Sequence, residues 1–210
     1  MISKAIRLSS LAATACIFSA SVGLGLLLRP NQPAVAIAPL SLAEVDLAQR
    51  PVAFTQPPQL VSATTSRNLV SDRNASYYLT LDLPAGANVN LQSVRIRMTE
   101  GRDSIFRFRP QDTLAFEGSR QSRGPQLPLG EVTQDREQRS LTVQFNPSVE
   151  PGRNVTLVLR PERNPRFEGV YLFEVVAYPE GEQVESYFTG YARLQFYETD
   201  NDPLIRGSRL

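Results

Sequence analysis

Short segments in which apolar and polar residues alternate recur along most of this chain, and they constrain its fold more than any other feature. Every second residue of such a segment is apolar, as expected for a β-strand with one buried face. The clearest segments are residues 77–83, 94–99, 106–109, 141–145, 155–160 and 194–196. Turn-forming stretches rich in Pro, Gly and Asp separate them. No segment after residue 58 keeps a helical period for three turns, although residues 112–117 could form one short helical turn.

This pattern predicts an all-β domain, an antiparallel β-sandwich of about seven or more strands, with a partly open β-barrel as the alternative. A domain of about 140 residues buries roughly two thirds of its unfolded surface, so its core needs no disulfide. Residues 170–178 are apolar on both faces, which predicts a central strand covered on both sides. Glu174 is the exception in that segment, and we expect it to lie at an edge or to pair with an arginine.

The N-terminus has the pattern of an export signal. Lys4 and Arg7 precede an uncharged run over residues 8–28, and Ala34, Val35 and Ala36 form a small-x-small cleavage site. We therefore predict a helical signal peptide over residues 1–36. The absence of a twin-arginine pair favours general secretion to the periplasm, the thylakoid lumen or the cell surface. The alternative is an uncleaved N-terminal membrane anchor, because a 21-residue run is long enough to span a bilayer.

The rest of the chain divides by composition into three further parts. Residues 37–58 are rich in Pro and small residues, which predicts a linker or a loosely docked arm. Residues 59–197 carry the alternating segments and are predicted to form the β-sandwich. Residues 198–210 are polar and are predicted to be a flexible tail.

Composition excludes several kinds of catalysis. The chain has no histidine, and its one cysteine, Cys16, lies inside the predicted signal peptide. A Ser-His-Asp triad, a Cys-His pair and a typical zinc site are therefore excluded, and no motif for a cofactor is present. A hydrolase that uses two carboxylates is compatible with the composition. No catalytic residues are predicted, and a non-enzymatic role is favoured.

The charge balance argues against a general affinity for nucleic acid. Cleavage after Ala36 removes three of the 22 basic residues and no acidic one, which leaves 19 basic against 21 acidic residues, a net charge of −2. Lys4 is the only lysine, so every cation that remains is an arginine.

Four arginines form the one candidate binding site that the sequence indicates. If residues 94–99 and 105–109 pair as a hairpin, Arg95, Arg97, Arg107 and Arg109 share one face and the apolar residues share the other. Like charges that face each other destabilise a sheet. Either acidic neighbours neutralise this face, or it binds an anion such as a surface polysaccharide or a lipid headgroup.

Several blocks of the sequence resemble a known family. They are residues 59–65 (QLVSATT), 77–84 (YYLTLDLP), 115–118 (AFEG), 163–167 (RNPRF) and 170–173 (VYLF), followed by Ala177 and Pro179. Together they resemble the cyanobacterial family known as domain of unknown function 2808, over about residues 54–197. Glu174 stands where the pattern of that family favours glycine. The resemblance implies an exported cyanobacterial protein, and it brings no catalytic residues because none are assigned.

These observations favour an exported, non-catalytic β-sandwich that acts as a binding or structural module of the cell envelope. Two alternatives are a secreted hydrolase that uses carboxylates and a periplasmic assembly factor that offers a sheet edge to another chain. The partner could be an anionic polysaccharide, a lipid headgroup or an envelope protein.

Overall fold

A computed structural model describes residues 50–104 and 107–198 of the protein. Within these residues the chain forms ten strands and two short 3₁₀ turns, at Ala85–Ala87 and Pro110–Asp112. The strands are β1 (Gln59–Thr65), β2 (Tyr77–Leu83), β3 (Leu91–Glu100), β4 (Leu114–Gly118), β5 (Arg123–Leu127), β6 (Leu129–Asp135), β7 (Ser140–Val149), β8 (Arg153–Leu159), β9 (Gly169–Pro179) and β10 (Tyr187–Phe196).

The strands form two sheets of five, in the orders β1-β2-β8-β4-β5 and β10-β9-β3-β7-β6. Every pairing between neighbouring strands is antiparallel. The two sheets stay separate and pack on a shared apolar core, so the predicted antiparallel β-sandwich is confirmed and the barrel is not formed. The predicted signal helix, residues 37–49 of the predicted linker and residues 199–210 of the tail lie outside the described residues.

Alternation along each strand builds the core as the sequence pattern predicts. In β2, Tyr77, Leu79, Leu81 and Leu83 are all buried, because every second side chain of a strand points to the same face. The intervening Thr80 lies on the outer face, where its hydroxyl is 2.8 Å from that of Thr156 on β8. The core therefore depends on packing from both sheets. In the described part of the chain no α-helix contributes to it, and the 3₁₀ turn at Ala85–Ala87 adds only Ala87.

Strand β9 lies between β10 and β3, which confirms that residues 170–178 belong to an interior strand. Its inner-face residues Tyr171, Phe173 and Val175 are buried. The prediction that both faces are covered holds only in part: on the outer face Val176 is buried and Leu172 is half-buried, whereas Val170, near the start of the strand, is exposed. Tyr178 on this face is partly covered by the Arg95 guanidinium of β3, which lies 5.6 Å from its ring centroid.

Glu174 pairs with an arginine, as predicted. Its Oε2 atom lies 2.8 Å from both Nε and Nη2 of Arg97 on the adjacent strand β3. The two residues face each other directly in the register of β3 and β9. The carboxylate is thereby neutralised on the outer face, and it stays out of the dry core.

The predicted hairpin between residues 94–99 and 105–109 is wrong. Strand β3 pairs with β7 on one edge and with β9 on the other, so neither edge is free for a third strand. Phe108 instead forms an isolated bridge to Pro161. The predicted helical turn over residues 112–117 is also wrong, because the turn ends at Asp112 and strand β4 follows it.

The part of the predicted linker that the structure describes packs against the sandwich. The backbone of Val52 exchanges hydrogen bonds with Gln183 (2.7 Å) and Glu185 (2.9 Å). Phe54 is buried, and its ring packs edge-on against Tyr187 with the centroids 5.6 Å apart. The core therefore begins before residue 59.

Candidate anion-binding site

Three loops gather where β2 begins and β8 ends, and we call this region the loop end. The loops are residues 66–76, residues 101–113, of which 101–104 and 107–113 are described, and residues 160–168. Backbone hydrogen bonds tie the third loop to the other two. The Ser71 amide donates to the carbonyl of Pro165 over 2.9 Å, and the Glu162 amide donates to that of Arg107 over 3.0 Å. The three loops therefore form one hydrogen-bonded surface.

Asn164 links two of the loops through hydrogen bonds of its buried side chain. Its side chain is fully buried and donates to the carbonyl oxygens of Arg67 (3.1 Å) and Leu69 (2.8 Å). Its Oδ1 atom accepts a hydrogen bond of 2.9 Å from the Tyr77 hydroxyl. Burial, with the nearby Tyr171, raises the pKa of Tyr77 far above its ordinary value, so this hydroxyl stays protonated and keeps donating.

Arginine is concentrated at the loop end. The three loops contain eight arginines and five acidic residues, a net charge of +3: Arg67, Arg73, Arg102, Arg107, Arg109, Arg160, Arg163 and Arg166 against Asp72, Asp103, Asp112, Glu162 and Glu168. Residues 84–90, 150–152 and 180–186 connect the strands at the opposite end and contain four glutamates and no arginine. The excess of arginine over acidic residues is therefore a feature of the loop end and not of these three connections.

A cavity of about 300 Å³ opens at the loop end, and each loop supplies it with one arginine, Arg73, Arg107 or Arg163. Among the ion pairs between described residues, none involves these three arginines. Three guanidinium groups that lack a carboxylate partner around one cavity are suited to bind an anion.

Two carboxylates also line the cavity, and they differ in role. Asp103 is buried, and its Oδ2 atom accepts the backbone amide of Arg166 over 2.8 Å and lies 3.5 Å from the Arg166 guanidinium. It therefore anchors one loop to another. Glu162 is the second carboxylate, and it leaves the lining with three cations against two anions. In the described part of the chain, no cluster of three or more potential metal ligands occurs.

The structure separates the four arginines that were predicted to share a face. Arg95 and Arg97 lie on the outer face of β3, where Arg97 pairs with Glu174 and Arg95 lies 5.6 Å from the centroid of the Tyr178 ring. Arg97 is thus neutralised, which was one of the two alternatives for this face. These two arginines lie on the outer face of the sheet and do not line the cavity at the loop end.

Arg107 and Arg109 instead lie in the loop that follows β3. Arg109 is tied into the structure, because its Nη2 atom donates to the carbonyls of Arg73 and Pro161 (both 3.2 Å) and its Nη1 atom lies 3.6 Å from Asp112. Only Arg107 of the four lines the cavity. The other two arginines of the cavity, Arg73 and Arg163, were missed because they lie in loops without an alternating pattern. The signal that could have found them is the repeated arginine in three polar segments that flank strands.

The fold and this site define a β-sandwich module with a basic loop end. The chain belongs to the family described as "Protein of unknown function (DUF2808)", whose model matches residues 51–196. This match confirms the resemblance seen in the sequence blocks. Among curated proteins, none matches the chain.

Several solved structures are similar in fold at low identity. The C-terminal domain of the Streptococcus pyogenes antigen I/II-family protein AspA is 12% identical with a TM-score of 0.36, and the match covers 64% of this chain and 46% of that one. A collagen-binding domain from a Staphylococcus aureus adhesin is 8% identical with a TM-score of 0.31, over 59% of this chain and 87% of that one. AvmM, which catalyses macrocyclization in alchivemycin A biosynthesis, is 9% identical with a TM-score of 0.32, over 73% and 100%. The chain spans less than half of the AspA structure, and similarities at this level do not bear on function.

Proposed function

We propose that this protein is an exported, non-catalytic binding module of the cell envelope, and that it holds an anionic partner at its loop end. One observation carries the proposal, namely that Arg73, Arg107 and Arg163 line one cavity from three loops and form no ion pair with any other residue that the structure describes. An unpaired cation is expected to gain more from an incoming anion than one that already has a carboxylate partner.

The surroundings of the cavity support binding of an acidic group on a larger partner. The volume of about 300 Å³ is at the small end for ligand sites, enough for one carboxylate, sulfate or phosphate with its attached group. Guanidinium groups bind such oxygens in a bidentate manner. The buried hydrogen bonds of Asn164 fix the backbone of two of the loops, which lowers the entropy lost on binding.

Replacing the three cavity arginines tests the proposal. We expect Arg73→Gln, Arg107→Gln and Arg163→Gln together to weaken salt-sensitive binding to polygalacturonate, a soluble polycarboxylate, by about 100-fold or more, since each lost charged hydrogen bond costs about 1.5–3 kcal/mol. Binding measured by calorimetry at low and high salt checks this expectation. The matched control is Arg95→Gln with Arg97→Gln, which removes two arginines from the outer face and should leave binding unchanged. If the parent protein binds no polygalacturonate at low salt, or if the control loses as much binding, the proposed site is wrong.

Export is the second part of the proposal, and it is supported by Lys4, Arg7, the uncharged run and the Ala34–Val35–Ala36 site. We expect the cellular protein to begin at or near Ile37, because small residues at positions 34 and 36 suit a signal peptidase. Mass spectrometry of the protein from fractionated cells measures the N-terminus directly. Membrane-bound protein with an intact N-terminus would instead support the alternative of an uncleaved anchor. Within the described residues, no helix has the length and hydrophobicity needed to cross a bilayer.

A further inference from the structure

Exposed apolar side chains accompany the arginines at the loop end. Leu69 is 40% exposed, Phe167 is 45% exposed, and Tyr197, the residue after β10, is 45% exposed. Leu69 and Tyr197 face each other in a short parallel bridge. The Arg102 guanidinium lies 5.7 Å from the centroid of the Phe167 ring. Basic and apolar groups are therefore mixed on this one surface.

Backbone hydrogen bonds fix the chain around these three exposed residues. The amide of Val70 donates to Tyr197 O and the amide of Tyr197 donates to Asn68 O, each over 2.9 Å. The carbonyl of Phe167 accepts a hydrogen bond of 2.9 Å from the Tyr171 hydroxyl. The carbonyl of Leu69 accepts a hydrogen bond of 2.8 Å from the Asn164 side chain, so the backbone at all three positions is hydrogen-bonded.

A soluble polyanion would satisfy the arginines and leave these apolar side chains in water. A bilayer surface satisfies both, because interfacial binding gains from buried apolar area and from attraction between basic residues and anionic headgroups. Tyrosine suits the headgroup region, where its ring is apolar and its hydroxyl stays hydrated. The chemistry of the loop end therefore matches an anionic lipid surface better than a free polymer.

We propose that the loop end docks onto an anionic lipid surface, with Leu69, Phe167 and Tyr197 entering the headgroup region and Arg73, Arg107 and Arg163 contacting headgroup anions. This inference rests on the proposed function, since it names the partner of the same basic loops. The bound anion is then the headgroup of a lipid. Binding of a soluble acidic polysaccharide without binding of lipid is the outcome that would contradict this inference.

The charge asymmetry of the sandwich sets the orientation of docking. Three loops at the opposite end, residues 84–90, 150–152 and 180–186, contain four glutamates and no arginine. Glu150 pairs with Arg153, and the fourth loop at that end, residues 119–122, contains Arg120. That end therefore has no excess of basic residues and attracts an anionic surface less than the loop end does. The net charge of −2 expected after cleavage provides no general attraction, so binding depends on this local cluster. The strand axes are then expected to form a steep angle with the membrane plane.

The outer face of β10 supplies a matched control. Phe188 and Tyr191 are 54% and 55% exposed, which is somewhat more than the three apolar side chains of the loop end. The centroids of their rings are 4.9 Å apart. They lie beside the neutralised Arg97–Glu174 pair, since Glu174 faces Tyr191 in the sheet. Arg193 is the one exposed arginine that follows them on the outer face of β10. Because this face lacks the cluster of arginines found at the loop end, these two aromatic residues are not expected to contribute to docking.

Vesicle binding tests the inference with the chain from Ile37 onward, which omits the apolar N-terminal run and keeps both sheets and the core. We expect the parent to bind vesicles of equal parts phosphatidylglycerol and phosphatidylcholine at least about tenfold more tightly than pure phosphatidylcholine vesicles. Leu69→Ser, Phe167→Ser and Tyr197→Ser together should weaken vesicle binding by at least about tenfold and leave polygalacturonate binding intact. The three arginine substitutions should weaken both, and Phe188→Ser with Tyr191→Ser should weaken neither.

A second readout covers the case in which the apolar variant does not fold. The chain contains no tryptophan, so Phe167→Trp places a single reporter at the loop end. We expect its emission to shift to the blue with phosphatidylglycerol vesicles and to stay unchanged with polygalacturonate. A parent that binds polygalacturonate but not the vesicles would overturn lipid docking and leave the proposed anion site standing. A parent that binds neither would overturn both, and an unshifted tryptophan on bound vesicles would overturn apolar insertion.

Discussion

Asn164→Ala is expected to lower the free energy of unfolding by about 3–5 kcal/mol and to weaken anion binding as well. The change removes two donors and one acceptor from a fully buried position. The hydroxyl of Tyr77 and the carbonyl of Leu69 then lose this partner inside the protein, and each buried group left unpaired costs about 1–3 kcal/mol. The carbonyl of Arg67 still accepts the Thr65 hydroxyl over 2.7 Å and is expected to contribute less.

Chemical denaturation, with polygalacturonate binding measured on the folded fraction, checks this expectation. The matched control is Tyr77→Phe, which removes one of the three hydrogen bonds and keeps the ring in the core, so we expect a loss of about 1–2 kcal/mol. Asn164→Ala removes the side-chain hydrogen bonds between the loops 66–76 and 160–168, while the backbone hydrogen bonds of Ser71 and Asn164 between them remain. Because Tyr77→Phe leaves both side-chain bonds to the loop 66–76 in place, Asn164→Ala should weaken binding more than the control does. Equal losses of stability in the two variants would show that these side-chain bonds do not stabilise the contact between the loops.

The role of Asn164 shows how far the sequence could define the site. The block over residues 163–167 stands out in the chain, and the family resemblance depends on it in part. Its proline and its position between two strands predict a loop, but nothing local indicates which carbonyls the asparagine side chain reaches. Those carbonyls belong to residues more than 90 positions earlier, so the hydrogen bonds depend on how distant loops meet.

The β-sandwich itself could be predicted, because it depends on a local property. Alternation places every second side chain of β2, β7 or β9 on one face, and that face must be buried. Glu174 could be predicted to need a cation for the same kind of reason, since burial of an unpaired carboxylate is costly. The local pattern did not identify the cation as Arg97, because this depends on the register of β3 and β9.

The pairing of strands, by contrast, could not be derived from the local pattern. Residues 106–109 alternate as a strand does, and they follow β3 closely enough for a hairpin. Strand β3, however, takes its partners from β7 and β9, which are distant in sequence and occupy both of its edges. The arginine face was therefore divided, and the basic residues that converge in space belong to loops that the alternation does not mark.

Phe173→Ala is expected to destabilise the protein by about 3–5 kcal/mol, and it distinguishes a scaffold role of β9 from a binding role. Phe173 is buried on the inner face, and its ring centroid lies 6.2 Å from that of Tyr77 in the opposite sheet. Removing a buried phenylalanine loses its transfer free energy and leaves a cavity that the two sheets can close only in part.

The matched control for Phe173→Ala is Phe188→Ala, because the same side chain is then removed from the outer face of the same sheet. Phe188 is mainly exposed and packs against Tyr191, so we expect a loss of about 1 kcal/mol or less. Thermal and urea unfolding of the two variants, with polygalacturonate binding of the folded protein, give both readouts. The scaffold role requires a large loss of stability for Phe173→Ala while the folded fraction still binds. Loss of binding with unchanged stability would instead make Phe173 part of a site, and the loop end would then not account for binding alone.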